Sequence, residues 1–288
     1  MKKIGVIANR DKPEALPALQ RLERKAAELG IRLVTAGPMV GALRSAMQVS
    51  PSQFPRRIDA LIALGGDGTI LRAARMLQGS STPVLGVNLG KLGFLTSVPE
   101  EDLEKGLESL ARDRYLISDR TVADCRLLRG RRVLGRYRAL NDIVVGWGQS
   151  SRIITFDASI NGEQITSYRC DGIIVSTPTG TTGHSMSAGG PILHPETRAL
   201  LINVICPHAL SARPIVVPDH SAISIGVTSA QKKLLLSIDG QEEHFVEQGD
   251  RLVIQRSPKN VRLILLPGYS YFSVLRKKLQ WRGSSVGT

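Results

Sequence analysis

A glycine-rich turn near residue 65 has the residue types of a phosphate-binding site. It reads Leu64-Gly65-Gly66-Asp67-Gly68-Thr69 and lies between an apolar run and a helical pattern. Its glycines let the backbone approach a phosphate, and the following helix directs its first N–H groups toward an anion. A carboxylate beside phosphate is repulsive unless it binds Mg²⁺ or accepts a proton from an attacking hydroxyl, so Asp67 indicates phosphoryl chemistry. The alternative is an ordinary strand-to-helix turn with Asp67 as a local cap.

A second candidate segment follows the next apolar run. It reads Asn88-Leu89-Gly90-Lys91-Leu92-Gly93-Phe94-Leu95. Open α/β sheets bind ligands outside the carboxyl ends of their strands, so we expect this segment and the turn at Asp67 to share one sheet edge. Phe94 then offers a ring face to a base or closes one wall of a pocket. The alternative is a core aromatic residue in a loop.

The longest candidate segment runs from Asp171 to Pro191. Four glycines and seven hydroxyl side chains follow its apolar strand, a composition that is poor for a core and suited to binding sugar hydroxyls and phosphates. We interpret the segment as a polar binding loop. His184 within it is either a catalytic base or only a hydrogen-bond donor.

The elements that position these segments follow from the hydrophobic pattern. Over the first ~115 residues, short β-branched runs alternate with helical patterns, which predicts an α/β N-terminal domain with a parallel sheet. The predicted strands are Lys3 to Ala8, Ile31 to Thr35, Ile58 to Leu64 and Pro83 to Asn88. The predicted helices are striped by Leu16, Leu19, Leu22, Ala26 and Leu29 before Gly30, by Ile70, Leu71, Ala74 and Leu77, and by Leu103, Leu107 and Leu110.

From about Thr121 the pattern changes to short alternating strands, which predicts an all-β C-terminal domain of the sandwich type. Pairs that favour tight turns separate the strands, namely Gly130-Arg131, Asn161-Gly162, Asp239-Gly240 and Gly249-Asp250. A last helical pattern, Ser270 to Arg282 with Phe272, Leu275 and Leu279 in register, is predicted to pack back on the first domain. The predicted domains are residues 1–118 with 270–288, and residues 119–269.

Composition limits the class of protein and its location. The 288 residues are 42% hydrophobic, enough to bury a core in each of two domains. Cys125, Cys170 and Cys206 lack metal-ligand spacing, and we expect buried thiols in a reducing compartment. The apolar stretch Ile4 to Ala8 is too short for a signal peptide or a membrane span, so we expect a cytoplasmic protein without a membrane partner.

The chain is strongly basic, with a formal net charge of +13, and a positive field favours anionic partners. Aromatic residues are only 4% of the chain and do not alternate with the basic runs, which favours a small polyanionic substrate over nucleic acid. Six arginines fall between Arg126 and Arg138. We interpret them as the solvated face of a hairpin; the alternatives are a subunit contact and an anion-steering patch.

Ordered motifs along nearly the whole chain together resemble the bacterial NAD kinase family. They are Gly-Gly-Asp-Gly-Thr at 65–69, the segment at 88–95, Asn141-Asp142, the loop from Asp171 to Pro191, Cys206-Pro207-His208 with Arg213 to Pro218, and Asp239-Gly240-Gln241. Lipid kinases and phosphofructokinases carry close variants of the first motif, so the resemblance depends on the complete set.

The resemblance implies a fold, a reaction and partners. The fold is an N-terminal α/β domain followed by a β-rich domain, in a homodimer or homotetramer. The implied reaction moves a phosphoryl group from ATP or polyphosphate to the adenosine ribose 2′-hydroxyl of NAD, which gives NADP. Mg²⁺ or another divalent metal accompanies the donor and is bound mainly through the donor phosphates, so no metal ligands from the protein are expected.

The resemblance also implies roles for individual residues. Asp67 would orient or deprotonate the 2′-hydroxyl. Donor phosphates would be bound by Gly65, Gly66, Gly68 and Thr69. NAD would be bound by Gly68, Phe94, Asn141, Asp142, Arg169, Asp171, Thr179, Thr182, Gly183, His184 and Ser187. Within that set, the Asn141-Asp142 pair would contact the nucleoside portions and Asp171 the nicotinamide end.

The sequence departs from the family pattern at two of these places. Asp142 is one methylene shorter than the family's glutamate, so a direct contact is expected to become water-mediated. Gly183-His184 replaces an Ala-Tyr pair, which removes a phenol that helps to hold the ribose and introduces a titratable imidazole. Arg169, in contrast, resembles the charged residue of members that prefer NAD over NADH.

Two other hypotheses remain open on the sequence alone. A kinase of the same superfamily acting on a diacylglycerol- or sphingosine-like lipid would need an apolar acceptor pocket, which the hydroxyl-rich loop does not suit. A non-catalytic dinucleotide sensor or a basic nucleic-acid-binding protein would keep the fold without turnover. The sequence does not choose between ATP and polyphosphate as donor, and it does not fix the oligomer or any allosteric control.

Overall fold

A computed structural model describes residues 2–90, 93–146, 153–229 and 233–281 of the chain. Lys91 and Leu92 of the second candidate segment, and Arg282 of the predicted last helix, lie outside the described residues. The chain divides into two compact units, which are Met1–Asp119 with Val261–Thr288, and Arg120–Asn260.

Helices and strands are numbered here along the chain. The helices are α1 (Ala15–Glu28), α2 (Asp67–Met76), α3 (Leu103–Ala111), α4 (His184–Ser187) and α5 (Tyr271–Leu279). The strands are β1 (Lys3–Ala8), β2 (Arg32–Ala36), β3 (Met47–Val49), β4 (Ala60–Gly65), β5 (Val84–Asn88), β6 (Val98–Pro99), β7 (Leu116–Arg120), β8 (Ala123–Arg129), β9 (Arg132–Ala139), β10 (Asp142–Gly146), β11 (Ile154–Ile160), β12 (Glu163–Cys170), β13 (Gly172–Ser176), β14 (Ala199–Ile205), β15 (Ile215–Pro218), β16 (Ile223–Ser229), β17 (Leu234–Ile238), β18 (Glu242–Val246), β19 (Asp250–Arg256) and β20 (Val261–Leu265). None of the described helices is long and apolar enough to cross a membrane.

The first unit is built on a largely parallel sheet. Its strand order is β3-β2-β1-β4-β5-β20-β7, and β6 pairs with β5. Strand β1 lies parallel to both β2 and β4, and β4 lies parallel to β5. The apolar runs of β1 and β4 are buried along nearly their whole length, as in strands that are covered on both faces. The prediction of a parallel α/β domain is confirmed.

Differences from the predicted elements of this unit are local. Leu16, predicted on the buried stripe of α1, is 60% exposed, because the buried face is turned toward the small side chains of Ala15 and Ala18. The hydrophobic pattern does not reveal β3 and β6, since strands this short have no measurable period.

Strand β20 returns the chain to the first unit. Leu263 pairs in parallel with Val84 of β5, and the chain from Val261 onward belongs to this unit. The boundary expected after residue 269 therefore falls before β20, because this apolar strand extends the parallel sheet. In the following helix, α5, Val274 and Leu275 are buried, whereas Phe272, predicted in the packing register, is 60% exposed.

The second unit is a sandwich of two antiparallel sheets. One sheet has the order β15-β14-β13-β10-β17-β18 and the other β12-β11-β16-β19-β8-β9. Inward side chains from both sheets form one core, in which Phe156 of β11 and Ile173 of β13 are fully buried. Tight turns at Asn161-Gly162 and Asp239-Gly240 join adjacent strands, with positive φ at both residues of each pair. The prediction of an all-β sandwich is confirmed.

The arginine run agrees with expectation, and the cysteines differ from it in part. The arginines lie on the hairpin of β8 and β9, where five of the six are exposed and Arg138 is half-buried. Arg129, 51% exposed, also forms an ion pair of 2.7 Å with Asp250, whose side chain is fully buried. Cys125 and Cys170 are buried, but Cys206 is exposed, since it lies beyond the end of β14 in a turn with a φ of +46°.

Phe156→Ala is expected to lower the free energy of unfolding of the second unit by about 3–5 kcal/mol, because it leaves a cavity in the sandwich core. Phe245→Ala is the control, since Phe245 is 56% exposed on β18 and its loss is expected to change stability by less than about 1 kcal/mol. Urea unfolding followed by circular dichroism measures both. Equal unfolding midpoints of the two variants would contradict this description of the core.

Candidate active site

The two glycine-rich segments of the first unit meet at the carboxyl edge of its sheet. Strand β4 ends at Gly65 and β5 at Asn88, and these two residues are partners in the parallel register. The N–H of Leu89 donates to the carbonyl of Gly65 at 2.7 Å. The structure thus brings both segments to one edge, as the strand order requires.

The Asp67 carboxylate is held by the second of these segments. Helix α2 begins at Asp67, after Gly66 in an extended conformation. Oδ2 of Asp67 accepts the N–H of Phe94 at 2.8 Å, and Oδ1 accepts the N–H of Leu95 at 2.9 Å. Gly93 packs so closely that a Cβ there would lie 2.0 Å from Oδ1. The carboxylate is therefore fixed in direction, while each oxygen keeps a further lone pair for a ligand.

The other residues of the first turn divide into an outer and an inner set. Gly66 has open space where a Cβ would stand, and Gly68 is exposed. Gly65 is buried, and a Cβ on it would lie 2.1 Å from Oγ1 of Thr69. The N–H of Thr69 donates to the carbonyl of Gly66 at 2.9 Å. Thr69 therefore supports the turn from within, and Gly66 and Gly68 form its accessible surface.

Two cations stand at the same edge, in places that the motif analysis does not single out. Lys12, four residues after β1, donates from Nζ to the carbonyl of Leu89. Arg72 of α2 donates to the carbonyl of Ala8, the last residue of β1, at 2.5 Å. The rule that ligands bind at the carboxyl ends of strands, applied to β1 as well, would have found Lys12.

Phe94 is half-buried beside the Asp67 carboxylate. The ammonium group of Lys278, on α5, lies 5.3 Å from the centroid of the Phe94 ring, a cation–π contact. Helix α5, which belongs to the first unit, therefore lies close to the glycine-rich edge of the sheet. One face of the ring is engaged by this cation.

In the second unit, Asn141 and Asp142 are held through their backbone at the start of β10. Oδ1 of Asp239 accepts the N–H of Asn141 at 2.7 Å and that of Asp142 at 3.1 Å. Oδ2 of Asp239 accepts the N–H of Leu140 at 2.9 Å. The turn that carries Asp239 therefore fixes the backbone of the Asn141-Asp142 pair.

The Asp142 carboxyl group is nearly inaccessible to water, with 5% of the residue exposed. Burial raises the pKa of Asp142 to about 7, and the negative charge of Asp239 contributes to the same shift. Near neutral pH the group is therefore present in both protonation states, so it can donate or accept a hydrogen bond.

The loop after β13 reaches these two residues. A Cβ on Gly180 would lie 2.1 Å from the carbonyl oxygen of Asn141, so only glycine fits there. A Cβ on Gly183 would lie 3.9 Å from Oδ2 of Asp142, which is an ordinary contact. The same Cβ would lie 3.3 Å from the carbonyl oxygen of Gly180, so the alanine of the family pattern would leave Asp142 in place but press against this carbonyl.

Two oxygen atoms of this region are buried without a hydrogen-bond partner among the described residues, Oδ1 of Asn141 and Oγ1 of Thr179. Buried polar atoms in native proteins normally have a partner, so these two oxygens are available to bond to water or to polar groups of a ligand. Other hydroxyls of the loop bond within the protein, as Thr177 does to the carbonyl of Leu140 at 2.5 Å. The loop hydroxyls thus serve the loop's own structure as well as a ligand.

Other predicted site residues lie elsewhere on the second unit. Asp142 pairs with Ser176, whereas Gly172, next to Asp171, pairs with Gly146 at the far end of β10. At about 3.4 Å per residue, roughly 17 Å of strand separates Asp142 from Asp171. The Asp171 carboxylate accepts a hydrogen bond from the Cys206 thiol, and this bond raises the pKa of Cys206.

The remaining predicted NAD contacts are at the surface of the second unit. Arg169 lines a pocket of about 470 Å³ together with Tyr168, His208 and Arg213. His184 and Ser187 are exposed on α4, and Thr182 donates from its hydroxyl to the carbonyl of Thr179 at 3.3 Å. The structure therefore groups Asn141, Asp142, Thr179 and Gly183, and it does not bring Arg169 or Asp171 into that group.

Comparison with known proteins assigns both units. The ATP-NAD kinase N-terminal domain matches residues 4–115, and the ATP-NAD kinase C-terminal domain matches residues 140–266. The chain belongs to the NAD kinase family. Membership in the NAD kinase family replaces the lipid-kinase and non-catalytic alternatives left open by the sequence.

Similar proteins cover most of the chain. The NAD kinase of Heliobacterium modesticaldum is 39% identical over 284 residues, which are 97% of this chain and 99% of the relative. The NAD kinase of Gemmatimonas aurantiaca is 42% identical over 229 residues, 79% of each chain. The crystal structure of yeast NADH kinase complexed with NADH has a TM-score of 0.91 at 26% identity and covers 99% of this chain and 89% of its own.

Asp142→Asn is expected to stabilise this NAD kinase family member at pH 8 and to change it little at pH 4. The pKa of about 7 in the folded protein lies above the unfolded value near 4, so the stability associated with protonation is present at low pH and lost as the pH rises from about 4 to about 7. The free energy of unfolding lost over this pH range is at most about 4 kcal/mol. Thermal unfolding across this pH range measures it, with Glu163→Gln, at an exposed acid, as the control. If the melting temperatures of Asp142→Asn and wild type changed identically with pH, the raised pKa of Asp142 would be excluded.

Proposed function

We propose that this member of the NAD kinase family transfers the terminal phosphoryl group of ATP to the adenosine ribose 2′-hydroxyl of NAD, giving NADP. The observation that carries the proposal is the Asp67 carboxylate, fixed by the N–H groups of Phe94 and Leu95 at a glycine-rich turn. Family membership supplies the reaction class, and this fixed carboxylate supplies a group that can act on the acceptor hydroxyl.

Asp67 is assigned to the hydroxyl that attacks the phosphate. Phosphoryl transfer requires mainly positioning and charge stabilisation, with little covalent chemistry from the protein. Because two backbone amides already orient Asp67, its carboxylate does not need to reorganise when the ribose arrives. A remaining lone pair accepts the hydrogen bond of the 2′-hydroxyl and then its proton, as the new ester bond forms and the bond from the γ-phosphorus to the bridging oxygen breaks to release ADP.

The donor phosphates are assigned to the turn at the start of α2. Accessible backbone at Gly66 and Gly68, together with the positive end of the α2 dipole, suits an anion. Gly65 and Thr69 contribute by shaping the turn from inside. Lys12 and Arg72 add positive charge at the same edge, which offsets the negative charge of the donor.

A divalent metal fits this site as a companion of the donor. Among the described residues, no group of three or more His, Cys, Asp or Glu side chains could hold a metal ion. Both oxygens of Asp67 already accept backbone N–H groups, which fits a metal held mainly by phosphate oxygens and water. When bound, Mg²⁺ neutralises charge on the transferring phosphate.

The nucleoside of NAD is assigned to the group around Asn141 and Asp142. The unpaired Oδ1 of Asn141 and Oγ1 of Thr179 supply hydrogen-bond acceptors for its polar groups. The wider set of NAD contacts stays a prediction from the family motifs, namely Gly68, Phe94, Arg169, Asp171, Thr182, Gly183, His184 and Ser187. Use of polyphosphate, preference for NAD over NADH, a homo-oligomeric state and a cytoplasmic location stay predictions as well.

The reaction is tested by measuring NADP formation with NAD and ATP in the presence of Mg²⁺. Parallel reactions with NADH as acceptor, and with other triphosphates or polyphosphate as donor, define both substrates. A diacylglycerol acceptor serves as the comparison for a lipid kinase. NAD with ATP is expected to give NADP, and absence of product from NAD with every donor would overturn the proposal.

Asp67→Asn is expected to keep the fold and to lower kcat by about 100-fold or more, because an amide cannot accept the hydroxyl proton. Asp59→Asn is the matched control. Asp59 also accepts a backbone N–H, from Lys3 at 2.7 Å, but it lies before the amino end of β4, away from Gly65. Circular dichroism checks folding of both variants. Near-normal turnover by folded Asp67→Asn protein would remove the proposed role.

A further inference from the structure

We propose that Asp239 is a positioning residue for NAD, whose carboxylate fixes the backbone at Asn141 and Asp142 so that their side chains meet the coenzyme. The inference rests on the proposed function of these two residues. It gives a role to a residue that belongs to one of the family motifs and to a tight turn but has no role assigned above.

The contacts of Asp239 exceed what its turn requires. The turn from β17 to β18 closes by a hydrogen bond from the N–H of Gln241 to the carbonyl of Ile238 at 2.9 Å. Asp239 and Gly240 have φ of +53° and +63°, which suits an Asp-Gly pair. That geometry would be complete without the side chain. The carboxylate nevertheless accepts the N–H groups of three successive residues, Leu140, Asn141 and Asp142.

A second turn in the same unit shows what a purely structural residue does at this position. Asn161 also has a φ of +53° and is followed by Gly162. Its N–H donates to the carbonyl of Ala222, and its Oδ1 accepts the N–H of Ala222, both at 2.8 Å. Asp239 repeats this exchange with Asp142 and adds the two bonds to Leu140 and Asn141. One of the additional bonds holds Asn141, so a single carboxylate holds the backbone of both candidate NAD contacts, Asn141 and Asp142.

Only a carboxylate satisfies this arrangement. Both oxygens of Asp239 accept N–H groups, Oδ1 from Asn141 and Asp142 and Oδ2 from Leu140. An asparagine has one oxygen, and its NH₂ group would face a backbone N–H, donor against donor. Asparagine at 239 would therefore keep the turn, as asparagine does at 161. It would lose the hydrogen bonds that one of the two carboxylate oxygens accepts.

The backbone held by Asp239 is also held from its other side. The carbonyl of Asn141 accepts the N–H of Thr177 at 2.9 Å, and Gly180 packs directly against it. With the backbone fixed on both sides, the unpaired Oδ1 of Asn141 and the buried carboxyl of Asp142 have defined directions. Loosening one side is expected to weaken NAD binding more than it weakens the fold.

The test compares Asp239→Asn and Asp239→Ala with Asn161→Ala in the full chain. We measure KM for NAD, KM for ATP, kcat and the melting temperature of each. Asp239→Asn is expected to raise KM for NAD about 10-fold, with KM for ATP within about 2-fold of wild type and melting close to it. Asn161→Ala is expected to lower the melting temperature and leave both KM values unchanged.

A double-mutant cycle with Asn141→Ala separates positioning from general destabilisation. If Asp239 acts through Asn141, the effect of Asp239→Asn on KM for NAD is expected to shrink in the Asn141→Ala background. Full additivity, or an unchanged KM for NAD in Asp239→Asn, would overturn the inference. If Asp239→Asn does not fold, Asp239→Ala enters the same cycle.

A failure of the proposed function is distinguishable from a failure of this inference. If the wild-type protein makes no NADP, the proposed function is wrong and kinetics cannot be used. Calorimetric titration with NAD then replaces KM. Equal dissociation constants for NAD in wild type and Asp239→Asn would overturn the inference. Weaker NAD binding in Asp239→Asn, with wild-type binding in Asn161→Ala, would support it.

Discussion

Hydrogen bonds from successive backbone N–H groups to one carboxylate organise the candidate site residues in each of the two units. Asp67 receives the N–H groups of Phe94 and Leu95 in the first unit, and Asp239 receives those of three residues in the second. Charge-assisted bonds of this kind are stronger than bonds between neutral groups, and several together fix both the loop and the side chain that holds it. Glycine is required wherever the loop comes closest, as at Gly93 and Gly180.

The two carboxylates differ in what they leave available. Asp67 holds a loop and is also assigned to the reacting hydroxyl, so one residue both stabilises the loop and serves as the proposed catalytic group. Asp239 holds a backbone whose side chains, Asn141 and Asp142, are assigned to the ligand. Burial is the main cause of the raised pKa of Asp142, and the charge of Asp239 adds to it, so the residue that fixes the backbone also contributes to the protonation of Asp142.

Sequence patterns predict the fold well because both units depend on regular periods and turn chemistry. β1 has the predicted bounds, and the Asn161-Gly162 and Asp239-Gly240 turns lie where two positive φ values are needed. Strand β20 could not be assigned to the first unit, because its parallel pairing with β5 joins residues far apart in sequence. The contact of Lys12 and the hydrogen bonds of Asp239 could not be predicted either. Neither spacing nor composition shows which distant backbone group a side chain reaches.

The pairing of Leu263 with Val84 has a consequence for the order of events during synthesis. When residues 120–260 have left the ribosome, every strand of the sandwich is available, so that unit can fold at once. The parallel sheet must wait for β20, which follows the whole sandwich in the chain. During that interval β6 covers the end of β5 at Val87 and Asn88, while the start of β5 at Val84 lacks its β20 partner and exposes backbone groups that another strand could pair with.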